Sequence, residues 1–273
     1  MVATPRYFVG RDRVDSLPDH DRGLAYGDGL FETMRAVHGS VPWWPAHWQR
    51  LQRGAQALRL SLPAEAQVRE EAERMLEGGD GVLKLIVTRG AGGRGYPAPE
   101  ESVPNWILSR HPLPPATPSA GLALRWCETR LALQPALAGI KHCNRLEQVL
   151  ARSEWADPDI HEGLVLSAEG DVVSATAANV FVLRDGRWTT PLVDRCGIAG
   201  VCRAWAVDAL QACEARLAVT DVEAADAVFL CNAVRGILPV ARLGSRTWRP
   251  HPQVMELQHR LAAAHPAFVT EVS

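Results

Sequence analysis

Lysine is almost missing from this chain: of its 29 basic residues only Lys84 and Lys141 are lysine, and the rest are arginine. The scarcity has two readings. Either a G+C-rich gene writes arginine for lysine and leaves two by chance, or lysine is kept where arginine cannot serve. Arginine stays charged, whereas a desolvated lysine amine can lose its proton and attack a carbonyl. Net charge is scant as well, at −2 with acids and bases interspersed. That leaves no electrostatic footprint for nucleic acid or an anionic membrane. No run reaches the ~18 apolar residues of a membrane helix, and the opening MVATPRYFVGRDRV carries no apolar signal core, so the expected location is the cytoplasm. Six cysteines (Cys127, Cys143, Cys196, Cys202, Cys213 and Cys231) form no C-x-x-C pair and match no His spacing. The expectation is reduced, mostly buried thiols and no metal site.

What is present suits an α+β protein. The chain has 273 residues, 47% of them hydrophobic, enough for one large domain or two smaller ones. The runs VLKLIVT (82–88) and NWILSR (105–110) read as strands. Residues 46–60 read as a helix with Leu51, Ala55 and Leu58 on one face, and a second helix begins after Pro63 and stops at Gly78. Proline-dense HPLPPATPS then marks a linker, which gives an N-terminal α+β domain over 1–112, a linker over 113–119 and a C-terminal α/β domain over 120–273. In that second half, strands broken at Glu169-Gly170 and Asp185-Gly186 precede an amphipathic helix in GVCRAWAVDALQACEARL.

GAGGRG, Gly90 to Gly95, fits the dinucleotide pattern G-x-G-x-x-G, but YPAPEESVP follows, and its prolines forbid the helix that must hold a pyrophosphate. A mobile loop that carries Arg94 and Tyr96 to an anionic substrate is the better reading. In CGIAGVCRAW the amides of Gly200, Val201 and Cys202 open a helix, either as an ordinary start or as a phosphate site. Arg50 lies off the apolar stripe of its helix, where a charge is solvated unless a phosphate is near. Asn232 reads as a turn residue, and His47 and His142 as structural. A scarce lysine, a phosphate-ready helix start and a phosphate arginine together match the needs of pyridoxal phosphate.

The order of these motifs resembles the fold type IV pyridoxal-phosphate enzymes, which include branched-chain and D-amino acid aminotransferases, and within them the aminodeoxychorismate lyases. The matching stretches are YGDGLFETMR (26–35), HWQRLQ (47–52), GVLKLIVTRGAGGRGY (81–96), LAGIKHCNRLEQVLAR (137–152), SATAANVFV (174–182), TPLVDRCGIAGVCR (190–203) and DAVFLCNAVRGILPV (226–240). The resemblance implies a two-domain fold with the active site between the domains, a homodimer, and pyridoxal 5'-phosphate held as a Schiff base by Lys141 in the C-terminal domain. It implies that Arg50, the amides of Val201 and Cys202, and the turn at Asn232 and Ala233 bind the phosphate. Tyr26, Asp28 and Thr33 fall in a segment close to the site, and Arg94, Arg35 and Arg130 are the arginines offered to substrate carboxylates. Lys84 reads as structural or peripheral.

One position departs from the pattern. Five residues before the asparagine of A-N-x-F, where these enzymes carry a glutamate for the pyridine nitrogen, the sequence has Ser174. Serine can hydrogen-bond to that nitrogen but cannot hold it protonated as a carboxylate does. The implied activity is conversion of 4-amino-4-deoxychorismate to 4-aminobenzoate and pyruvate, a step of folate biosynthesis in which aromatisation of the ring supplies driving force. The alternatives are an aminotransferase for D- or branched-chain amino acids, or a non-catalytic protein that binds the cofactor.

Overall fold

In the computed structural model, which describes residues 4–269, the chain divides into two compact units. One comprises residues up to Leu113 together with Ile140–Asn144, and the other comprises Pro114–Gly139 and the chain from Arg145 onward.

The first unit is a five-stranded antiparallel sheet with helices on one face. Its strands are β1 (Arg6–Val9), β2 (Asp12–Val14), β3 (Gly29–Ala36), β4 (Gly81–Thr88) and β5 (Asn105–His111), in the order β2-β1-β5-β4-β3. A short helix α1 (Arg22–Tyr26) precedes β3, and α2 (Trp44–Leu58) and α3 (Glu65–Leu76) lie between β3 and β4 in sequence. On β3, Leu30, Glu32, Met34 and Ala36 are buried while Phe31, Thr33 and Arg35 are half-buried, which is the period-two alternation of a strand with one core face. That core face joins Leu83, Leu85, Val87, Leu108 and the stacked pair Phe8 and Trp106 to Trp48, Leu51 and Ala55 of α2 and to Val68, Ala72 and Leu76 of α3. Each of the larger aliphatic side chains contributes about 1.5–3 kcal/mol on leaving water. Helix α2 begins two residues before the start read from the sequence, because Trp43 turns left-handed at φ 58° and Pro45 can occupy a first turn where no amide partner is needed.

The second unit is built on a nine-stranded sheet. Its strands are β6 (Leu122–Leu131), β7 (Glu162–Ser167), β8 (Val172–Ala175), β9 (Asn179–Arg184), β10 (Arg187–Pro191), β11 (Cys213–Ala215), β12 (Ala227–Asn232), β13 (Gly236–Leu243) and β14 (Arg246–Thr247). The order runs β11-β10-β9-β12-β13-β6-β7-β8, with β14 paired to β13. Four helices accompany it: α4 (Leu146–Arg152), α5 (Val201–Leu210), α6 (Val219–Glu223) and α7 (Pro252–Ala264). The amphipathic run expected to continue through Leu217 instead stops at Leu210. Gln211 turns left-handed and Cys213–Ala215 pairs with Thr189–Pro191 of β10, so the sheet claims residues whose spacing reads as helix.

Lys141 departs from the domain assignment made on sequence. Ile140–Asn144 belongs with the first unit because it runs along the start of β3: Phe31 N donates to Lys141 O (3.0 Å), Cys143 N donates to Gly29 O (2.9 Å), and Leu30 bridges His142. The thiols also differ, with Cys127, Cys202 and Cys231 buried, Cys143 and Cys196 half-buried and Cys213 exposed, all of them unbridged. Among the described residues no helix is long and apolar enough to cross a membrane.

Candidate active site

The first unit assembles a polar cluster inside its own core. Glu32 is an acid on the apolar face of β3, and a charge there is costly unless it is paired. Its partners come from α2, where His47 and Arg50 stand three residues apart and so share a face. Arg50 donates from Nε to Glu32 Oε1 (2.8 Å) and from Nη2 to Oε2 (2.5 Å), and His47 Nδ1 donates to Oε2 (2.6 Å). Only 2% of Glu32 and 7% of Arg50 is exposed, so the guanidinium expected on the solvated side of α2 is a buried, bidentate partner. Burial alone would raise the Glu32 carboxyl, but the Arg50 charge and the bonds from Arg50 and His47 outweigh it and hold the carboxyl at about 2. Burial lowers the proton affinity of His47 more than Glu32 raises it, and Arg50 and Lys141 lower it further. The imidazole is therefore neutral, with Nδ1 carrying the hydrogen and Nε2 left as an acceptor that is buried with no hydrogen-bond partner among the described residues.

Beside this cluster lies Lys141, with Nζ 4.1 Å from the centroid of Phe31, the residue before Glu32. The packing there is close: a Cβ on Gly54 of α2 would come within 2.9 Å of Leu30 Cδ2 and 3.3 Å of Ile140 Cγ2, so a side chain there would have to push both aside. Thr33 and Arg35 share the half-buried face of β3 with Phe31. Burial pushes the Arg35 guanidinium down, and the charge of Asp80 partly offsets that.

The glycine-rich loop after β4 is fastened rather than loose. Arg22 donates from Nη1 to Gly95 O (3.1 Å) and Pro97 O (3.3 Å) and from Nη2 to Tyr96 O (3.0 Å), while its Nε meets Asp28 Oδ2 (2.9 Å). Asp28 also takes both forks of Arg89, at 2.7 and 3.0 Å. Tyr26 accepts from Gly95 N (3.2 Å), and its ring meets that of Tyr96 at 5.6 Å. Arg94, at the loop's tip, is exposed and in no ion pair among the described residues.

In the second unit, the start of α5, the β12–β13 turn and the segment before β9 come together. Asn179 pairs with Cys231 across the sheet and donates from Nδ2 to Ile198 O (2.9 Å), with its Oδ1 2.1 Å from where a Cβ on Gly200 would stand. Gly200 caps α5 with no side-chain hydrogen bond, so the first amides of the helix, those of Val201 and Cys202 among them, have no capping side chain. Burial pushes the Cys202 thiol well up, which leaves it neutral and makes its backbone the polar group that counts. Asn232 reaches Ala177 O (3.2 Å) through Nδ2 and caps its own turn through Oδ1, which accepts from Val234 N (3.0 Å) and Arg235 N (2.8 Å). Ala233 lies in that turn. Ser174 is half-buried on β8 opposite Val165. Arg130 is exposed at the end of β6, beside neither the turn nor the helix start in sequence or register.

A model of the amino-transferase class IV family matches residues 29–243. The chain belongs to that family. Among class IV relatives, it is 34% identical over 240 residues to an aminodeoxychorismate lyase of Vibrio harveyi, with 84% of this chain and 88% of the relative covered. It is 29% identical to a putative branched-chain-amino-acid aminotransferase of Methanocaldococcus jannaschii, covering 88% and 87%. A solved 4-amino-4-deoxychorismate lyase from Pseudomonas aeruginosa superposes with a TM-score of 0.87 at 40% identity, covering 95% of this chain and 99% of that one. The class IV fold is a pyridoxal-phosphate fold, and the α+β architecture expected from the sequence is the one found.

Glu32, the shared partner of His47 and Arg50, was missed by sequence reasoning. The signal was available: an acid at the centre of an apolar strand face, with a histidine and an arginine at helical spacing 15 and 18 residues on.

Proposed function

We propose that this protein is a pyridoxal-phosphate lyase that converts 4-amino-4-deoxychorismate to 4-aminobenzoate and pyruvate. The observation that carries the reading is the setting of Lys141, a primary amine on the face of Phe31 beside the buried Glu32–Arg50 pair. Relatives at 34% and 40% identity that bear the lyase name support it.

The residues present fit the cofactor. It needs a primary amine, cationic or amide donors for a phosphate, and a partner for its ring nitrogen. Lys141 is the amine, and the candidate phosphate donors are the Arg50 guanidinium, fixed in orientation by Glu32, and the start of α5, which no side chain caps. Ser174 is assigned to the ring nitrogen. When bound, the cofactor supplies an electron sink for the pair released at the substrate carbon that bears nitrogen.

Lys141 Nζ does the proton work. With its amine free, it would take the proton from the ring carbon that carries the substrate's amine. The bond from the ring to the enolpyruvyl oxygen breaks, the ring becomes aromatic, and the released enol takes a proton to become pyruvate. The Phe31 face suits this role because its quadrupole attracts the ammonium form that the proton transfer creates. Tyr26, Thr33, Arg35 and Arg94 of the first unit, with Arg130 of the second, are the groups assigned to orient the substrate, Arg130 with the least structural support.

Turnover of 4-amino-4-deoxychorismate by the loaded protein, with 4-aminobenzoate and pyruvate appearing in equal amounts, is the expected result. Lys141→Arg is expected to remove both the near-visible absorbance of the loaded protein and turnover. If neither product forms while an amino acid alone drives transamination, the lyase reading is wrong and an aminotransferase replaces it.

A further inference from the structure

Two arginines and one aspartate tie the glycine-rich loop to the end of the helix that carries Arg50. Asp28, between α1 and β3, is the hub: its Oδ2 accepts from Arg22 Nε (2.9 Å) and Arg89 Nε (2.7 Å), and its Oδ1 accepts from Arg89 Nη2 (3.0 Å). Away from Asp28 both guanidiniums end on backbone carbonyls. Arg22 takes those of Gly95, Tyr96 and Pro97 in the loop. Arg89 takes those of Leu58 (2.8 Å) and Arg59 (2.7 Å) at the C-terminal end of α2, where the helix dipole favours a cation.

This cluster is built to hold position. Arg22 is 5% and Arg89 8% exposed, and a buried guanidinium is costly unless its donors are met. Among the described residues Asp28 is the one acid that meets either of them. Burial would raise its carboxyl, but the bonds and charges of both arginines hold it below the usual carboxylate range, so it stays ionised. The loop packs tightly on Arg22: a Cβ on Gly92 would come within 2.6 Å of Arg22 Cδ, and the Tyr26 ring lies 4.9 Å from the guanidinium. Gly95 turns at φ 92°, a conformation that a side chain resists. Between residues 90 and 97 the sole charged side chain is Arg94, which is exposed and directly precedes the gripped Gly95. A buried ion cluster thus fixes the backbone beside an arginine whose guanidinium is left open.

We propose that Asp28 is a positioning residue: through Arg22 it sets the loop so that Arg94 stands ready for an anionic group of the substrate before the substrate arrives. The proposal rests on the reading that Arg94 meets a substrate carboxylate. It replaces the mobile lid expected from the sequence with a loop ordered in advance, so that binding has to order only the Arg94 side chain.

The test is a double-substitution cycle on the holoenzyme: Asp28→Asn, which keeps the volume and removes the charge, Arg94→Ala, and the two together. KM and kcat for 4-amino-4-deoxychorismate and 4-aminobenzoate affinity by calorimetry are measured for each, and backbone hydrogen exchange of residues 92–97 is followed by mass spectrometry. Arg94→Ala removes a charge-assisted contact and is expected to raise KM about 10- to 100-fold, with kcat within a few-fold. Asp28→Asn is expected to raise KM about tenfold and to speed exchange in 92–97 by about tenfold or more. Added to Arg94→Ala, it is expected to raise KM by about twofold at most, because no arginine is left to place. Equal factors with and without Arg94 overturn the proposal and leave Asp28 a structural residue. Unchanged exchange in Asp28→Asn overturns it too, as do wild-type KM and affinity in Arg94→Ala. Arg22→Lys keeps a charge and leaves the Arg89 pair whole but cannot fork to three carbonyls; it covers the case in which Asp28→Asn fails to fold, and the same non-additivity with Arg94→Ala is expected. If the wild type shows no turnover while the cycle on 4-aminobenzoate affinity is non-additive, the lyase reading fails and the role of Asp28 stands. A wild type that neither turns over the substrate nor binds 4-aminobenzoate overturns both.

Discussion

Replacing Glu32 by glutamine removes a charge and almost no volume, and its cost can be reached by two routes. Glu32 and Arg50 are both buried and joined by two hydrogen bonds, so the substitution strands a guanidinium in the first core. Breaking a buried pair by removing one partner costs about 3–5 kcal/mol. The carboxyl itself is moved from 4.5 to about 2 by folding. That shift of about 2.5 units, at 1.36 kcal/mol each, amounts to ~3 kcal/mol. The folded-state value is depressed, so this stability is present above about pH 4.5 and is lost as pH falls towards 2. His47 adds to the acid loss, because burial depresses its proton affinity and the unfolded chain gains protons as pH falls through 6.5. Urea unfolding at pH 7 and pH 3.5 reports the change through tryptophan fluorescence, since Trp44, Trp48 and Trp106 lie in the same core. Glu32→Gln is expected to lose about 3 kcal/mol at pH 7 and to show a shallower loss between the two pH values. A variant within 1 kcal/mol of wild type at pH 7, or one with the full acid loss, refutes the reasoning.

Two further outcomes follow from the second unit. Gly200→Ala is expected to lower stability by about 1–3 kcal/mol and to weaken pyridoxal phosphate about tenfold in a fluorescence titration. The new Cβ would displace Asn179 Oδ1 and break the bond to Ile198 O; wild-type affinity would mean that this helix start takes no part in binding. Ser174→Glu is expected to shift the near-visible absorbance of the loaded protein and to raise transamination of amino acids, and an unchanged spectrum and activity would remove Ser174 from the ring nitrogen.

The sequence shows clearly those parts of the fold in which local pattern and tertiary demand agree. The strands at 81–88 and 105–111 and the helices ending at Leu58 and Leu76 lie within two residues of the expected bounds, because apolar period, proline and glycine all point the same way. Where non-local pairing decides, the pattern misleads. Helical spacing through Cys213 loses to a parallel ladder with β10, and Lys141 follows the backbone of β3 rather than its own sequence neighbours. The site shows the same divide. Lys141 stands out by residue type and Glu32 by being an acid on an apolar strand face, whereas the nearness of Lys84 to Phe31 depends on the pairing of β3 with β4, which neither strand's own pattern displays.

The grip of Arg22 on the glycine-rich loop bears on how this protein could change over time. All three of its contacts there go to backbone carbonyls, of Gly95, Tyr96 and Pro97, and its own orientation is set by Asp28, outside the loop. These three contacts hold the loop by its backbone, although the ring of Tyr96 also meets Tyr26 and a Cβ on Gly92 would meet Arg22. Substitutions at the exposed Arg94 can alter what the loop offers to a ligand and leave these backbone contacts intact, so selection can retune ligand preference there without having to rebuild the fold.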